Sequence, residues 1–211
     1  MMDTAQSMPP GFDIPQDAIP VNEMRERILA ATARLIVTNG LEFPMSRVAQ
    51  ESRAAVGSIY NHFPSKHDLV VGVYQRIANQ IERALTSVPS DMDTPKARIM
   101  VYIHAYIDFF WEDPDRAILF EYLSNAPLIS TPDVARMFQT LRSFNFDLFS
   151  QAQAQGILKP MPPRSMAGFV GGGIRNALRW HRIGRQPLSD AQRRDIAQMC
   201  WSAIAIDAGP L

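Results

Sequence analysis

Between Val48 and Lys66 the chain gathers side chains that can donate or accept hydrogen bonds: Ser52, Arg53, Ser58, Tyr60, Asn61, His62, Ser65 and Lys66. They form a poor set for catalysis. His62 and His67 lie five apart, off the i, i+4 spacing of a shared helical face, and no cysteine or acidic cluster accompanies them. Nowhere does a nucleophile stand with a paired acid and base, so no enzyme, metal or cofactor is expected. The set suits recognition better. The stretch reads as two short helices joined by a tight turn, then the start of another helix. That is a helix-turn-helix layout, whose second helix enters the major groove of DNA. With Ile59 and Phe63 pointing inward, steps of 100° per residue put Gly57 and Asn61 on the opposite side, with Ser58 beside them. The outer face is small and polar, which permits close approach to a groove.

Supporting elements follow from periodicity and caps. Helix one is expected from Asn22, as N-cap, to Asn39-Gly40, with Met24, Ile28, Ala31, Leu35 and Ile36 as its buried stripe. Pro44 suits the first turn of helix two, and Met45, Val48 and Ala49 its inner face. Helix three runs from about Ala55 to His62. Ser65 can cap helix four, with Asp68 three places on. Leu69, Val73, Ile77, Ile81 and Leu85 then repeat every four residues. After a loop at 88–95, further helices are expected over Pro95–Glu112, from Asp113-Pro114 to Asn125, and from Thr131-Pro132 to Gln155-Gly156. A Pro-rich break at 160–163 follows, then Arg164–Ile183 and Ser189–Asp207. No alternating strand pattern or internal repeat stands out. The predicted fold is all-α: a three-helix head (21–67) joined by a linking helix to a helical body (68–211). An acidic, Pro-rich arm (1–20) precedes them and has no signal-peptide pattern.

The 211 residues are 46% hydrophobic and 20% charged, as in a globular protein, and no apolar run is long enough for a bilayer. A single cysteine, Cys200, suits a reducing cytoplasm. Net charge is zero, so any attraction to nucleic acid must be local. Over residues 21–85 eight basic side chains stand against six acidic ones. Attraction there depends on where a few cations sit.

At Gly57-Ser58-Ile59-Tyr60-Asn61-His62-Phe63, with Lys66 and Leu69 behind it, the chain resembles the TetR-type (tetracycline-repressor-like) family of transcriptional regulators. Members show Gly-Thr-Leu-Tyr-Tyr-His-Phe, then Lys and Leu at this spacing. The likeness is specific over about residues 22–70 and architectural beyond 85. It implies that Ser46, Val56, Gly57, Ser58 and Asn61 face the groove, and that Tyr60, His62 and Lys66 touch phosphates. Hydroxyl, imidazole and ammonium groups suit that role, and Ser58 and Asn61 can reach base edges. The family has Ala-Gly-Val-Ser across the turn, with Gly in a left-handed conformation. Here the turn is Ser52-Arg53-Ala54-Ala55, so Arg53 takes a strained slot and Ala55 lacks a capping hydroxyl.

The resemblance further implies an effector cavity in the body. Tyr102, Tyr106, Phe109, Phe110, Phe138 and Phe146 are aromatic candidates for its wall, though any of them can equally be core. His104, Asp108, Glu121, Asn125, Arg142 and Asn176 are candidate polar anchors. Gly171-Gly172-Gly173 cost a helix roughly 3 kcal/mol relative to alanine. They therefore mark either a subunit interface or an opening onto the cavity, and Arg175, Asn176, Trp180 and His181 could line either surface. Gly172, Trp180, Ala197, Trp201 and Ile204 are expected at a homodimer seam. The implied protein is a cytoplasmic homodimeric repressor. It binds a pseudo-palindromic double-stranded operator and is released by a small, mostly apolar effector. The alternative is a helical protein-binding module that has lost specific DNA binding, a reading that rests on Arg53 and Ala55.

Overall fold

Ser65 starts the helix that joins the two parts of the molecule. Its side chain accepts from the Asp68 backbone N–H, capping α4 (Lys66–Thr86) as its sequence predicts. The computed structural model describes residues 21–89, 92, 94–125 and 129–206, so the N-terminal arm lies outside the described residues. Leu69, Val73, Ile77, Ile81 and Leu85 are all buried along α4, and so are Val70, Tyr74 and Ala78. The buried band is wider than one stripe because α4 is covered on several sides. It packs on the first helix of the head and on four helices of the body.

In the head, α1 (Val21–Asn39) buries Met24, Ile28, Leu29, Ala31, Leu35 and Ile36. It begins by Val21, so Asn22 lies in its first turn and is not its cap. Gly40, at φ +66, closes the helix, with its N–H on the Ile36 carbonyl. α2 (Met45–Ser52) starts one residue later than its Pro44 suggests, Pro44 itself being the extended N-cap residue. α3 (Val56–His62) follows the turn. Val48, Ile59, Phe43 and Phe63 close the small core. Full burial of Ile59 contributes about 1.5–3 kcal/mol.

The body comprises α5 (Pro95–Trp111), α6 (Pro114–Asn125), α7 (Thr131–Met137), α8 (Gln139–Ala154), α9 (Pro163–Ile183) and α10 (Asp190–Ile204). Where one helix was expected from Thr131 to Gln155, two occur. Phe138 leaves helical geometry (φ −104, ψ 17), and its ring packs 5.7 Å from Tyr74 and 6.1 Å from Phe120, centroid to centroid. Aromatic packing thus breaks the helix where no Pro or Gly does. α10 ends at Ile204, short of Asp207, which lies outside the described residues. Its end is held by a single antiparallel bridge between Ala205 and Leu158. No strand is present among the described residues, and no described helix is long and apolar enough to cross a membrane.

Candidate DNA-binding face and body cavity

The turn between α2 and α3 decides where α3 points. Arg53 sits in the left-handed region (φ 51, ψ 42), in the slot where the resemblance places glycine. An L-residue there costs roughly 1–2 kcal/mol. A clamp absent from the sequence reading offsets it. The Arg27 guanidinium on α1 donates to the Ser52 carbonyl at 2.7 Å, capping the C-terminal end of α2. This charge-assisted bond complements the helix dipole. The buried Ser52 hydroxyl donates to the Val48 carbonyl at 2.7 Å, and the Ala54 N–H reaches the Ala49 carbonyl at 3.0 Å. Ala55 is the N-cap residue of α3 without a side-chain cap, as the sequence suggests. The turn is therefore formed despite both departures.

With Ile59 buried, the far side of α3 is open. Ser46, Val56, Gly57, Tyr60 and Asn61 are exposed, Tyr60 at 45%, while Ser58 and His62 are half-buried. A Cβ placed on Gly57 would meet nothing within 4 Å among the described residues, so none of them requires glycine there. Lys66 is held within the chain. Its ammonium donates to the Leu41 carbonyl at 2.7 Å and the Phe43 carbonyl at 2.8 Å, and it lies 4.3 Å from the centre of the Phe43 ring. Two of its three donors thus hold the α1–α2 loop onto α4, because the short Phe43-Pro44 connection leaves those carbonyls without helical partners.

In the body a cavity of about 650 Å³ opens among α4–α9, a volume in the range of sites for drug-sized ligands. Tyr74, Ile81, Tyr102, Tyr106, Phe120 and Leu141 are its buried walls. Phe146, Arg142, Arg164 and Gly168 are exposed and form its rim. Five expected residues meet here: Tyr102, Tyr106, Phe138, Arg142 and Phe146. The others do not. Phe109 and Phe110 stack edge-on, 5.0 Å apart, in the core. His104 and Glu121 are half-buried away from the cavity. The exposed Asn125 donates to the Glu121 carbonyl at 2.7 Å, and Asn176 lies on the outer face of α9. Phe120, one of the body aromatics, joins the five in the cavity, as do Tyr74 and Asn145, which no motif or spacing in the sequence singles out.

Arg175 faces the cavity. Its guanidinium donates to the Tyr106 hydroxyl and lies 5.3 Å from the centre of the Phe120 ring. A Cβ on Gly171 would come within 2.8 Å of the Tyr106 oxygen and 3.2 Å of Arg175 Nη1. Gly171 is therefore the notch that admits this pair. Burial pushes the phenols of Tyr74, Tyr102 and Tyr106 above their ordinary value, and the Arg175 charge only partly opposes that rise. All three are neutral hydroxyls near neutral pH. Asn145 Oδ1, also in the wall, is buried and has no hydrogen-bond partner among the described residues.

The glycine run thus divides. Gly171 serves the cavity, whereas Gly172 and Gly173 have open space around them on the side that carries Phe169 (61% exposed) and Trp180 (65%). Ile183 and Met199 are exposed as well. Three residues expected at a subunit seam face the other way: Ala197, Trp201 and Ile204 are buried in the chain's own core. α10 packs its apolar stripe against α5 and α9, and Lys96 lies over the Trp201 ring at 5.3 Å. Among the described residues no group of three potential metal ligands occurs.

Residues 28–73 match the family model described as bacterial regulatory proteins, tetR family. The HTH-type transcriptional activator FasR of Mycolicibacterium smegmatis is 22% identical over 205 residues, covering 95% of this chain and 91% of that protein. A TetR family transcription regulator from Marinobacter aquaeolei shares the fold with a TM-score of 0.78 at 17% identity, over 86% of this chain and 95% of the other. AibR, solved in complex with isovaleryl coenzyme A and operator DNA, does so with a TM-score of 0.67 at 21% identity, over 86% and 97%. The matched segment contains the whole turn, α3 and the Lys66 clamp, so residues 28–73 carry the helix-turn-helix of the tetR family of bacterial regulatory proteins, and the fold likeness to solved TetR-family regulators extends through the body.

Proposed function

We propose that this chain is a TetR-type transcriptional regulator: a homodimeric repressor, cytoplasmic and without catalytic activity, that binds a pseudo-palindromic operator. In this reading α3 lies in the major groove. Asn61 and Ser58 reach base edges, Gly57 and Val56 make close contact, and Tyr60, His62 and Ser46 meet the backbone. Lys66 acts mainly by fixing the loop beneath them. The exposed side of α9, with Phe169, Gly172, Gly173 and Trp180, pairs with the same surface of a second copy. A small, mostly apolar effector enters the body cavity and releases the DNA. The working units are the arm (1–20), the head (21–67) and the body (68–211).

One observation carries this reading: α4 is shared. Lys66 at its start holds the α1–α2 loop of the head, and Tyr74 and Ile81 further along line the cavity. A guest that moves Tyr74 or Ile81 shifts the seat of the head. AibR, of the same fold, has been solved with both a ligand and its operator, which makes the arrangement physically reasonable. Selection of bound fragments from a random DNA pool, followed by gel shifts, tests the proposal. Enrichment of paired half-sites, centred one or two helical turns apart, is expected. Retention of no sequence above background would contradict it. Sedimentation of the full chain as a monomer at micromolar concentration would remove the dimer.

A further inference from the structure

Among the described residues the body cavity has one sign of charge: Arg142, Arg164 and Arg175 line it and no Asp or Glu does. Arg142 and Arg164 are exposed at the rim, where water solvates them at little cost. Arg175 is different. It is half-buried among aromatic walls, and among the described residues no carboxylate lies within 4 Å of it. Nor do the surrounding phenols supply a negative charge, since burial keeps them protonated. A cation held in such surroundings is expensive unless something compensates it. Its present partners are the Tyr106 oxygen and the faces of Phe120 and Tyr106. Tyr106 accepts from Arg175 and keeps its own O–H as a donor. The pair therefore presents N–H and O–H donors together. Gly171 is the residue whose missing side chain makes room for it.

We propose that the cavity takes an amphipathic organic carboxylate. Its apolar body lies against Phe120, Phe138 and Tyr102, and its carboxylate sits on Arg175 and the Tyr106 hydroxyl. This deepens the effector reading above and rests on the same cavity, but it adds a charge requirement that a mostly apolar effector lacks. A guanidinium and a carboxylate match in geometry as well as in charge. The rim arginines draw anions toward the mouth and form no part of the specific contact.

The test compares matched probes by titration calorimetry on the full chain: hexanoate, decanoate and 4-phenylbutyrate against 1-hexanol, 1-decanol and 4-phenylbutanol. At least one carboxylate should bind tenfold or more tightly than its alcohol. R175Q should reduce that ratio to within about twofold, and R175K should retain part of it. Y106F should lower the ratio about threefold, and it decides the question if R175Q does not fold. Alcohols binding as well as their acids, a preference unchanged in R175Q or Y106F, or no binding by any probe would overturn the proposal. So would decanoyl-CoA binding more tightly than decanoate and unaffected by R175Q, because the anion would then lie at the rim. Gel shifts on a selected operator, run with the same probes, separate the two readings. If alcohols alone bind and release DNA, the regulator reading stands and the carboxylate falls. If carboxylates bind through Arg175 while no DNA is retained, the reverse holds.

Discussion

The outer face of α3 and the body cavity are built on opposite plans, and two glycines show it. Gly57 has empty space where its side chain would be, whereas Gly171 has the Tyr106–Arg175 pair there. The first site spans about twenty consecutive residues and leaves Val56, Tyr60 and Asn61 exposed. The second is concave and assembled from helices far apart in sequence, and its side chains lean on one another. A surface that waits for a large rigid partner can be short and local. A pocket for a small guest must surround it.

The largest expected effect separates the two. Ile59 is fully buried beneath the recognition face. Ile59→Ala should cost the head about 2–5 kcal/mol and abolish DNA binding, with ligand binding in the body intact. Calorimetry of ligand binding to a variant that fails in gel shifts checks this, and joint loss of both would show that head and body do not separate. The glycines come next. Gly171→Ala should destabilise the body by about 1–3 kcal/mol through overpacking and weaken ligand binding. Gly57→Ala should leave stability equal or raise it by up to about 1 kcal/mol, yet weaken operator binding. Thermal melts and gel shifts on both variants give four values, and the comparison fails if the two variants behave alike. Asn61→Ala, at an exposed position, should cost about 1–3 kcal/mol in operator binding and change stability by less than about 0.5 kcal/mol. A specific loss at one base pair of the half-site would sharpen the assignment.

The smallest effect at neutral pH is one of titration. Burial raises the Cys200 thiol from 9.0 to about 11, and the phenols of Tyr74, Tyr102 and Tyr106 also rise. These groups favour the folded state in their protonated forms. The Cys200 contribution is complete below pH 9 and is lost as pH climbs through 11, whereas that of the phenols is complete below pH 10 and is lost only at higher pH. All of them belong to the body or to the cavity stretch of α4. Alkali should therefore loosen the cavity before the head, which near-ultraviolet circular dichroism against helix content would register. Simultaneous loss would count against separate plans.

The same contrast explains what could be read from the sequence. The head was legible because its signals are short-range: Ser65 capping over Asp68, Gly40 ending α1, and the alternation of Ile59 and Phe63 with Gly57 and Asn61 are each settled within one or two turns. Arg27 was not legible, because its partner carbonyls lie 25 and 26 residues away. The loop contacts of Lys66 were not legible either, since an ammonium suits a phosphate or a loop carbonyl equally well. In the body, periodicity located the helices but not their rotation. A rotation of about 100° separates Arg175, in the cavity, from Asn176, outside it. The break at Phe138 had no local cue, because its cause is a ring stacked on two others from α4 and α6. Trp201 and Ile204 are apolar residues on a terminal helix. Only the neighbouring α5 and α9 decide that they face inward and leave Phe169 and Trp180 exposed.

Whether the two plans form one machine depends on α4, which carries both Lys66 and the wall residue Tyr74. The direct measurement is linkage. Operator affinity is measured with and without saturating ligand, and ligand affinity with and without saturating operator, under one buffer and salt condition. The account predicts that the two ratios are equal and differ from one by about 5–150-fold. Ratios of one in both directions, with ligand and operator each bound, would contradict it.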